Sequence, residues 1–270
     1  MEKRRNIDIH AHIFPGKIVY KAVHSIGDFY DIPMDGAGSS KDLIAHGDKI
    51  GTVKYVVHSV ATKPSQVCAI NAFILSQMKI YHEFLGFITL HPYMDDIEKE
   101  LDMALENGMY GVKIHPDFQR FDIDDPKAVD MYKMIGDKLP ILIHMGDEHK
   151  TFSKPERLAR VLDLCPKLNV IAAHFGGYHA WEDSKKYLMK REDVYFDTSS
   201  TLFKLPADEA TYMARTHGIE RMLFGTDYPM WLHEDEMKRF LTMDLTEDER
   251  DMILYRNAHK LLIEKDGYLR

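Results

Sequence analysis

The sequence predicts an α/β fold, a single (β/α)8 TIM barrel over residues 1–270, and three observations carry that expectation. Eight short apolar runs with strand character alternate with helix-like segments. Those runs end in His, Lys or Asp, and no linker or low-complexity stretch divides the chain. Short strands that are apolar throughout suit a parallel sheet covered on both faces. The rival, a doubly wound open sheet, usually carries a Gly-rich phosphate loop after its first strand. Here that position reads His-Ala-His-Ile-Phe-Pro, and neither GxGxxG nor GxxxxGK[ST] occurs anywhere.

The elements follow one another by punctuation. Residues 7–12 form the first strand, residues 27–40 are irregular and rich in Gly and Asp, and residues 41–50 have helical spacing. Residues 53–60 are strand-like, and Pro64 opens a helix toward Tyr81. Proline suits the first turn of a helix, where its missing N–H has no partner to lose. A strand over 84–90 ends in His91-Pro92, and the helix over 97–107 stops at Gly108, a residue type that caps helix C-termini. The strand over 111–115 is ended by Pro116, and Pro126 opens a helix to Lys138. Strands over 141–144 and 170–174 bracket the helix that Pro155 opens to Leu164. A helix over 181–190, a strand over 194–197, a helix from Pro206 to Thr216 and a strand over 222–225 complete the alternation. Helices from Glu234 and Glu247 close the chain.

Composition narrows the function. A net charge of -8 leaves no basic footprint for nucleic acid or an anionic membrane. No apolar run approaches the roughly 18 residues of a membrane span, and the N-terminus lacks a signal-peptide core. The two cysteines, Cys68 and Cys165, form no CxxC pattern, so neither a disulfide framework nor a thiolate zinc site is expected. The expected setting is the cytoplasm and the expected substrate a small molecule. Fifteen histidines hint at metal or proton chemistry.

In a (β/α)8 barrel the chemistry sits at the C-terminal ends of the strands. The residues found there are His10 and His12, His58, His91, Lys113 and His115, His144, His174, Asp197 and Asp227. His10 and His12 are two apart on one strand, so both imidazoles face the same way. Imidazole and carboxylate together suit zinc, iron or manganese, and a catalytic site leaves one position open for water. Bound water would have its pKa lowered toward about 7.

Taken in order, Ile-Asp-Ile-His10-Ala-His12, Gly-Val-Lys113-Ile-His-Pro, Ile-Leu-Ile-His144, Val-Ile-Ala-Ala-His174-Phe-Gly-Gly and Leu-Phe-Gly-Thr-Asp227-Tyr-Pro form one set. The set resembles the amidohydrolase superfamily, in particular its amidohydrolase-2 branch of metal-dependent hydrolases and decarboxylases. The closing Tyr-Arg-Asn257-Ala258-His-Lys-Leu-Leu also looks like that branch's C-terminal helix. The resemblance implies that His10, His12 and His144 are metal ligands. It makes Asp227 a carboxylate that binds metal or takes the proton of metal-bound water. His174 would hold a second metal in a binuclear version and act as an acid, base or polarising group in a mononuclear one.

Lys113 separates those versions. In several binuclear members a lysine at the fourth strand is carboxylated and bridges two metals, so a carboxylated Lys113 is one implied state. As an amine its cation would repel a neighbouring dication, and it would then hold a substrate carboxylate or pair with a barrel carboxylate such as Asp227. His115 reads as a pocket-lining residue, and His58 and His91 as structural or substrate-lining. Asp197 reads either as a hydrogen-bond partner of a ligand histidine or as a loop cap.

The resemblance therefore implies one or two divalent ions, most readily zinc. The first expectation is hydrolysis of an amide, ester or lactone-type bond by metal-activated water, with Asp227 as base. The alternative is non-oxidative decarboxylation of an aromatic or unsaturated carboxylic acid at the same site. A barrel that only binds is a weaker reading, because ligands and base are both present. Substrate choice is expected to lie in residues 14–40 and in the loops near Phe118, Gly146 and Tyr228. Aromatics near loop tips would fit a homodimer.

Overall fold

Among the described residues, each of the eight strands is followed by at least one helix. The computed structural model describes residues 2–264. Its elements run β1 (Asn6–His12), α1 (Val19–Tyr30), α2 (Ser40–Ile50), β2 (Thr52–His58), α3 (Val67–Ile80), β3 (Phe84–Thr89), α4 (Ile97–Glu106) and β4 (Gly111–Ile114). They continue with the single turn α5 (Pro116–Gln119), α6 (Pro126–Ile135), β5 (Ile141–Ile143), α7 (Pro155–Leu164), β6 (Val170–Ala172) and α8 (Trp181–Tyr187). The last are β7 (Val194–Asp197), α9 (Ala207–His217), β8 (Met222–Leu223), α10 (His233–Phe240) and α11 (Glu247–Asp251), beyond which the chain stays helical to residue 264.

All eight strands pair in parallel, in chain order. Backbone bonds bring the end back to the start. Ile9 N–H donates to the Phe224 carbonyl (3.0 Å), Asp227 N–H to that of His10 (2.8 Å) and His12 N–H to that of Tyr228 (2.7 Å). The expected TIM barrel is therefore present. Its strands are short, so His91, His115, His144, His174 and Asp227, expected at strand ends, stand past the last paired position, while His10, His12, His58, Lys113 and Asp197 lie within their strands.

Alternation divides the core into two. Val56, Leu85, Phe87, Leu142, Ile171 and Leu223, one or two from each of five strands, meet Ile7 and Ile9 inside the barrel, with Leu261 and Leu262 of the C-terminal helical segment packed against them. Their neighbours in sequence, such as Tyr55, Val57, Ile141 and Ile143, pack outward against the helices. Filling a barrel interior with branched side chains from alternating strands makes it a packed core rather than a pore.

One expectation differs. Residues 27–40 were expected to be irregular, yet α1 occupies 19–30. No side chain caps its N-terminus, none of its residues is fully buried, and Gly27 lies inside it. Each of those weakens the local signal for a helix. No helix among the described residues is long and apolar enough to cross a membrane.

Candidate metal centre

The first strand reaches the mouth of the barrel through a bulge. Asp8 pairs with Tyr55 and Ala11 with Val57, so Ile9 and His10 together face the single residue Val56. A bulge of one residue reverses the facing of everything beyond it. Ile7 and Ile9 therefore fill the interior, while His10 and His12, of the opposite parity, also turn inward above them. Asp8 holds this kink: its Oδ1 accepts from His10 N–H and from Thr226 N–H (both 3.0 Å), and its Oδ2 from the Thr226 hydroxyl (2.7 Å). Strand one is thereby tied to the segment that carries Asp227.

The structure brings together all six residues expected from the sequence. Asp227 Oδ1 lies 3.3 Å from both His10 Nε2 and His12 Nε2, and its Oδ2 accepts from the Ser200 hydroxyl at 2.6 Å. Lys113 Nζ is 2.8 Å from His10 Nε2, and His174 Nε2 is 3.0 Å from His144 Nδ1. His174 and Asp227 both hold left-handed backbone, with φ of 61° and 59°. Non-glycine residues adopt it at a cost of about 1–3 kcal/mol, and such strain clusters at functional sites.

Hydrogen bonds at the outer nitrogens fix three tautomers. His10 Nδ1 donates to Asp197 Oδ2 (2.8 Å), His174 Nδ1 to the Ser199 carbonyl (3.0 Å) and His144 Nε2 to the Gly146 carbonyl (2.9 Å). Carboxylate and carbonyl oxygens only accept, so each ring keeps its proton there and turns a lone pair inward. The lone pairs of His174 Nε2 and His144 Nδ1 then face one another at 3.0 Å. Two acceptors at that distance repel unless a cation or a shared proton lies between their lone pairs. The donor set, neutral imidazoles beside a carboxylate, is that of a divalent metal site.

Electrostatics agree with that set. Burial lowers His12 and His174 to about 4 and pushes His144 well below the ordinary imidazole value, so all three stay neutral near pH 7. Burial opposes ionisation of Asp227, but His10, the His12 hydrogen bond and His174 outweigh it and hold the carboxyl well below its usual range. Asp197 is likewise held down against burial by His10, His174 and the Ser199 hydroxyl. Burial brings Lys113 down to about 8, against the pull of Asp227 and Asp197.

Other candidates sort by position. Asp197 does contact a ligand histidine, and its Oδ1 also accepts from His174 N–H and the Ser199 hydroxyl. No carboxylate lies within ion-pair distance of Lys113 among the described residues; the ring of His10 is its neighbour. His115 is stacked between His144 (3.7 Å between ring centroids) and Phe118 (3.9 Å); its Nδ1 accepts from Phe118 N–H, which leaves Nε2 to donate to the Tyr30 hydroxyl oxygen at 2.9 Å. His91 stands apart from the cluster, beside Tyr93 and Phe121. A narrow cleft of about 20 Å³ opens onto His12, His144 and Asp227, with Tyr30, His115 and Phe118 in its wall. Gly146 adopts φ 77°, and a Cβ there would come within 2.6 Å of the Tyr178 backbone, so glycine is required where this loop passes under Tyr178.

Ser199, Ser200 and Tyr30 were not singled out as site residues. The serines follow Asp197 at a strand end and were open to the same positional rule. Tyr30 arrives on α1, the element with the weakest local signal.

The model of the amidohydrolase family matches residues 7–262 of the chain. The chain belongs to the amidohydrolase family. No curated protein has a significantly similar sequence. Among solved structures, this amidohydrolase superposes on an uncharacterized TIM-barrel protein from Bordetella bronchiseptica with a TM-score of 0.76 at 19% identity, over 96% of this chain and 98% of that one. A dihydroxybenzoic acid decarboxylase from Polaromonas sp. JS666, with bound manganese and the inhibitor 2-nitroresorcinol, gives 0.74 at 15% identity over 96% of each chain. A putative 2-pyrone-4,6-dicarboxylic acid hydrolase from Pseudomonas putida gives 0.67 at 17% identity, over 95% of this chain and 96% of that one. At such identities the likeness establishes the fold.

Proposed function

We propose that this amidohydrolase is a metal-dependent decarboxylase of a small aromatic or otherwise unsaturated carboxylic acid, working without an oxidant. The observation that carries the reading is the aromatic wall beside the ligand set: Phe118, His115 and His144 stacked in a column, with Tyr30 OH on His115. A planar substrate can meet the edges of such rings, edge to face, with its polar end toward His12 and Asp227. The fold relatives support the direction, since several of them are decarboxylases of hydroxylated benzoic acids.

His10, His12, Asp227 and His144 would hold the ion, with His174 beside them. A divalent ion there would bind substrate oxygens and withdraw electron density from the ring. Zinc, expected from the sequence, and manganese, present in the Polaromonas enzyme, both accept imidazole and carboxylate. Lys113, as an ammonium, offers N–H donors to a substrate carboxylate. Asp227 is ionised at rest, so it first collects a proton from solvent or from a substrate hydroxyl, then delivers it to the carbon bearing the carboxylate. The C–C bond breaks, CO2 leaves, and the carbon keeps the delivered proton. Each turnover consumes one solvent proton.

Hydrolysis, the first expectation from the sequence, becomes the second reading, favoured by one contact. Asp227 touches both first-strand histidines and borders the cleft, which is where a base for an attacking water would stand. The test is a panel of hydroxybenzoates and unsaturated acids, with lactones, esters and amides alongside, assayed after loading with manganese or zinc. Stoichiometric CO2 from an acid is expected. Turnover of a lactone, ester or amide with no acid consumed would replace decarboxylation by hydrolysis.

A further inference from the structure

We propose that His58 is a metal ligand, a third imidazole on the ion held by His10 and His12. The inference rests on the metal-dependent reading above but adds a residue from strand two, where none of the six expected site residues lies.

Four observations converge. His58 ends β2 and is the register partner of His12 on β1. Register partners on adjacent strands project to the same face, so the two rings stand side by side in the barrel mouth. Their centroids are 4.4 Å apart, and that of His10 is 5.2 Å from His58. One nitrogen from each of His10, His12 and His58 lies within 4.8 Å of the other two. His58 is fully buried, and neither of its ring nitrogens has a hydrogen-bond partner.

The last point separates it from its neighbours. His10, His144 and His174 each settle one nitrogen on a fixed oxygen. A neutral imidazole has one donor and one acceptor, and native structures rarely bury both without partners. An ion shared with His10 and His12 would satisfy the acceptor and turn a buried liability into a ligand. A packing role alone would be served better by leucine, which fills a similar volume with no polar atom to strand.

The test uses the full chain stripped of metal, in wild-type form and as His58→Leu, His58→Gln and His91→Leu. Affinities for Zn2+ and Mn2+ are measured by competition with a chromophoric chelator, and the absorption spectrum of the Co2+-loaded protein is recorded. Both His58 variants are expected to lose at least about tenfold in affinity, the lower bound for disturbing even an outer partner of a ligand. Their Co2+ bands are expected to shift, while metal-free His58→Leu melts no lower than wild type and His91→Leu binds as wild type does. Wild-type binding with unchanged affinity and spectrum in both His58 variants would overturn the assignment of His58 alone. A wild type that binds no divalent ion would overturn the metal reading and this inference together. If His58→Leu fails to fold, His58→Gln decides by the same two readouts.

Discussion

Two sets of buried histidines lie in different parts of this barrel. His217 ends α9, donates from Nε2 to the Val194 carbonyl at 3.0 Å and stacks on Phe196 with ring centroids 4.0 Å apart. His174 at the mouth also donates from one nitrogen to a carbonyl. Burial lowers both to about 4. Neither burial nor titration tells them apart. The difference lies beyond the second nitrogen. His217 Nδ1 meets no polar partner, whereas His174 Nε2 meets the lone pair of His144. A solitary lone pair against apolar atoms is a modest cost of packing. Lone pairs that converge can share a cation or a proton, and it is convergence that sets the proposed ligands apart from a core histidine.

The largest expected effect breaks the mouth and spares the other set. Asp227→Asn should keep its fold and lower kcat by about 10²–10⁴-fold, the usual worth of a positioned acid or base, read by steady-state CO2 release. A rate near wild type would remove Asp227 from the chemistry.

Acid should act through His217. Its pKa falls from 6.5 unfolded to about 4 folded, so between those values the unfolded chain binds more protons and stability drops as pH falls. The contribution is present above pH 6.5 and amounts to about 3 kcal/mol once lost, at 1.36 kcal/mol per unit. Urea unfolding of wild type and His217→Phe at pH 7 and pH 4.5 should show a smaller acid loss in the variant. Equal losses would mean that the ring titrates normally.

Metal should stabilise through the mouth alone. At 100 times its Kd an ion adds about 2.7 kcal/mol, so chelation should lower the melting temperature of wild type and of His217→Phe alike. Asp197→Asn should bind metal about 10–100-fold more weakly, because His10 loses the carboxylate that fixes its tautomer. Smallest of all, Tyr30→Phe removes one hydrogen bond to His115, worth about 1 kcal/mol, and should raise KM about fivefold with the metal content unchanged.

Much of this was legible in the residues, for physical reasons. Apolar strands, prolines at helix starts and polar residues at strand ends are local signals, and they placed the barrel and the six clustered residues. The bulge in β1 was not legible, because pairing two residues against Val56 depends on strand two. The simple rule that His10 and His12 share a face held, but their common face with Ile7 and Ile9 arises only through that bulge. The contact of His58 with His12 needed the same register. The partner of Lys113 was equally hidden: alternation turns it inward, but only the assembled barrel shows His10 waiting there. α1 was missed because contacts far away in sequence hold it.

The ties between Asp8 and Thr226 join residues 218 positions apart, and that span sets a timetable. A ribosome adding about 5–20 residues per second needs roughly 10–40 s to travel between them. Through that interval His10 and His12 exist without Asp227, so any ion captured by the growing chain is held by fewer ligands than in the finished one. On the metal-dependent reading proposed above, loading the site would be a late event in the life of each molecule, and a chain cut short before Asp227 should bind metal more weakly than the full one.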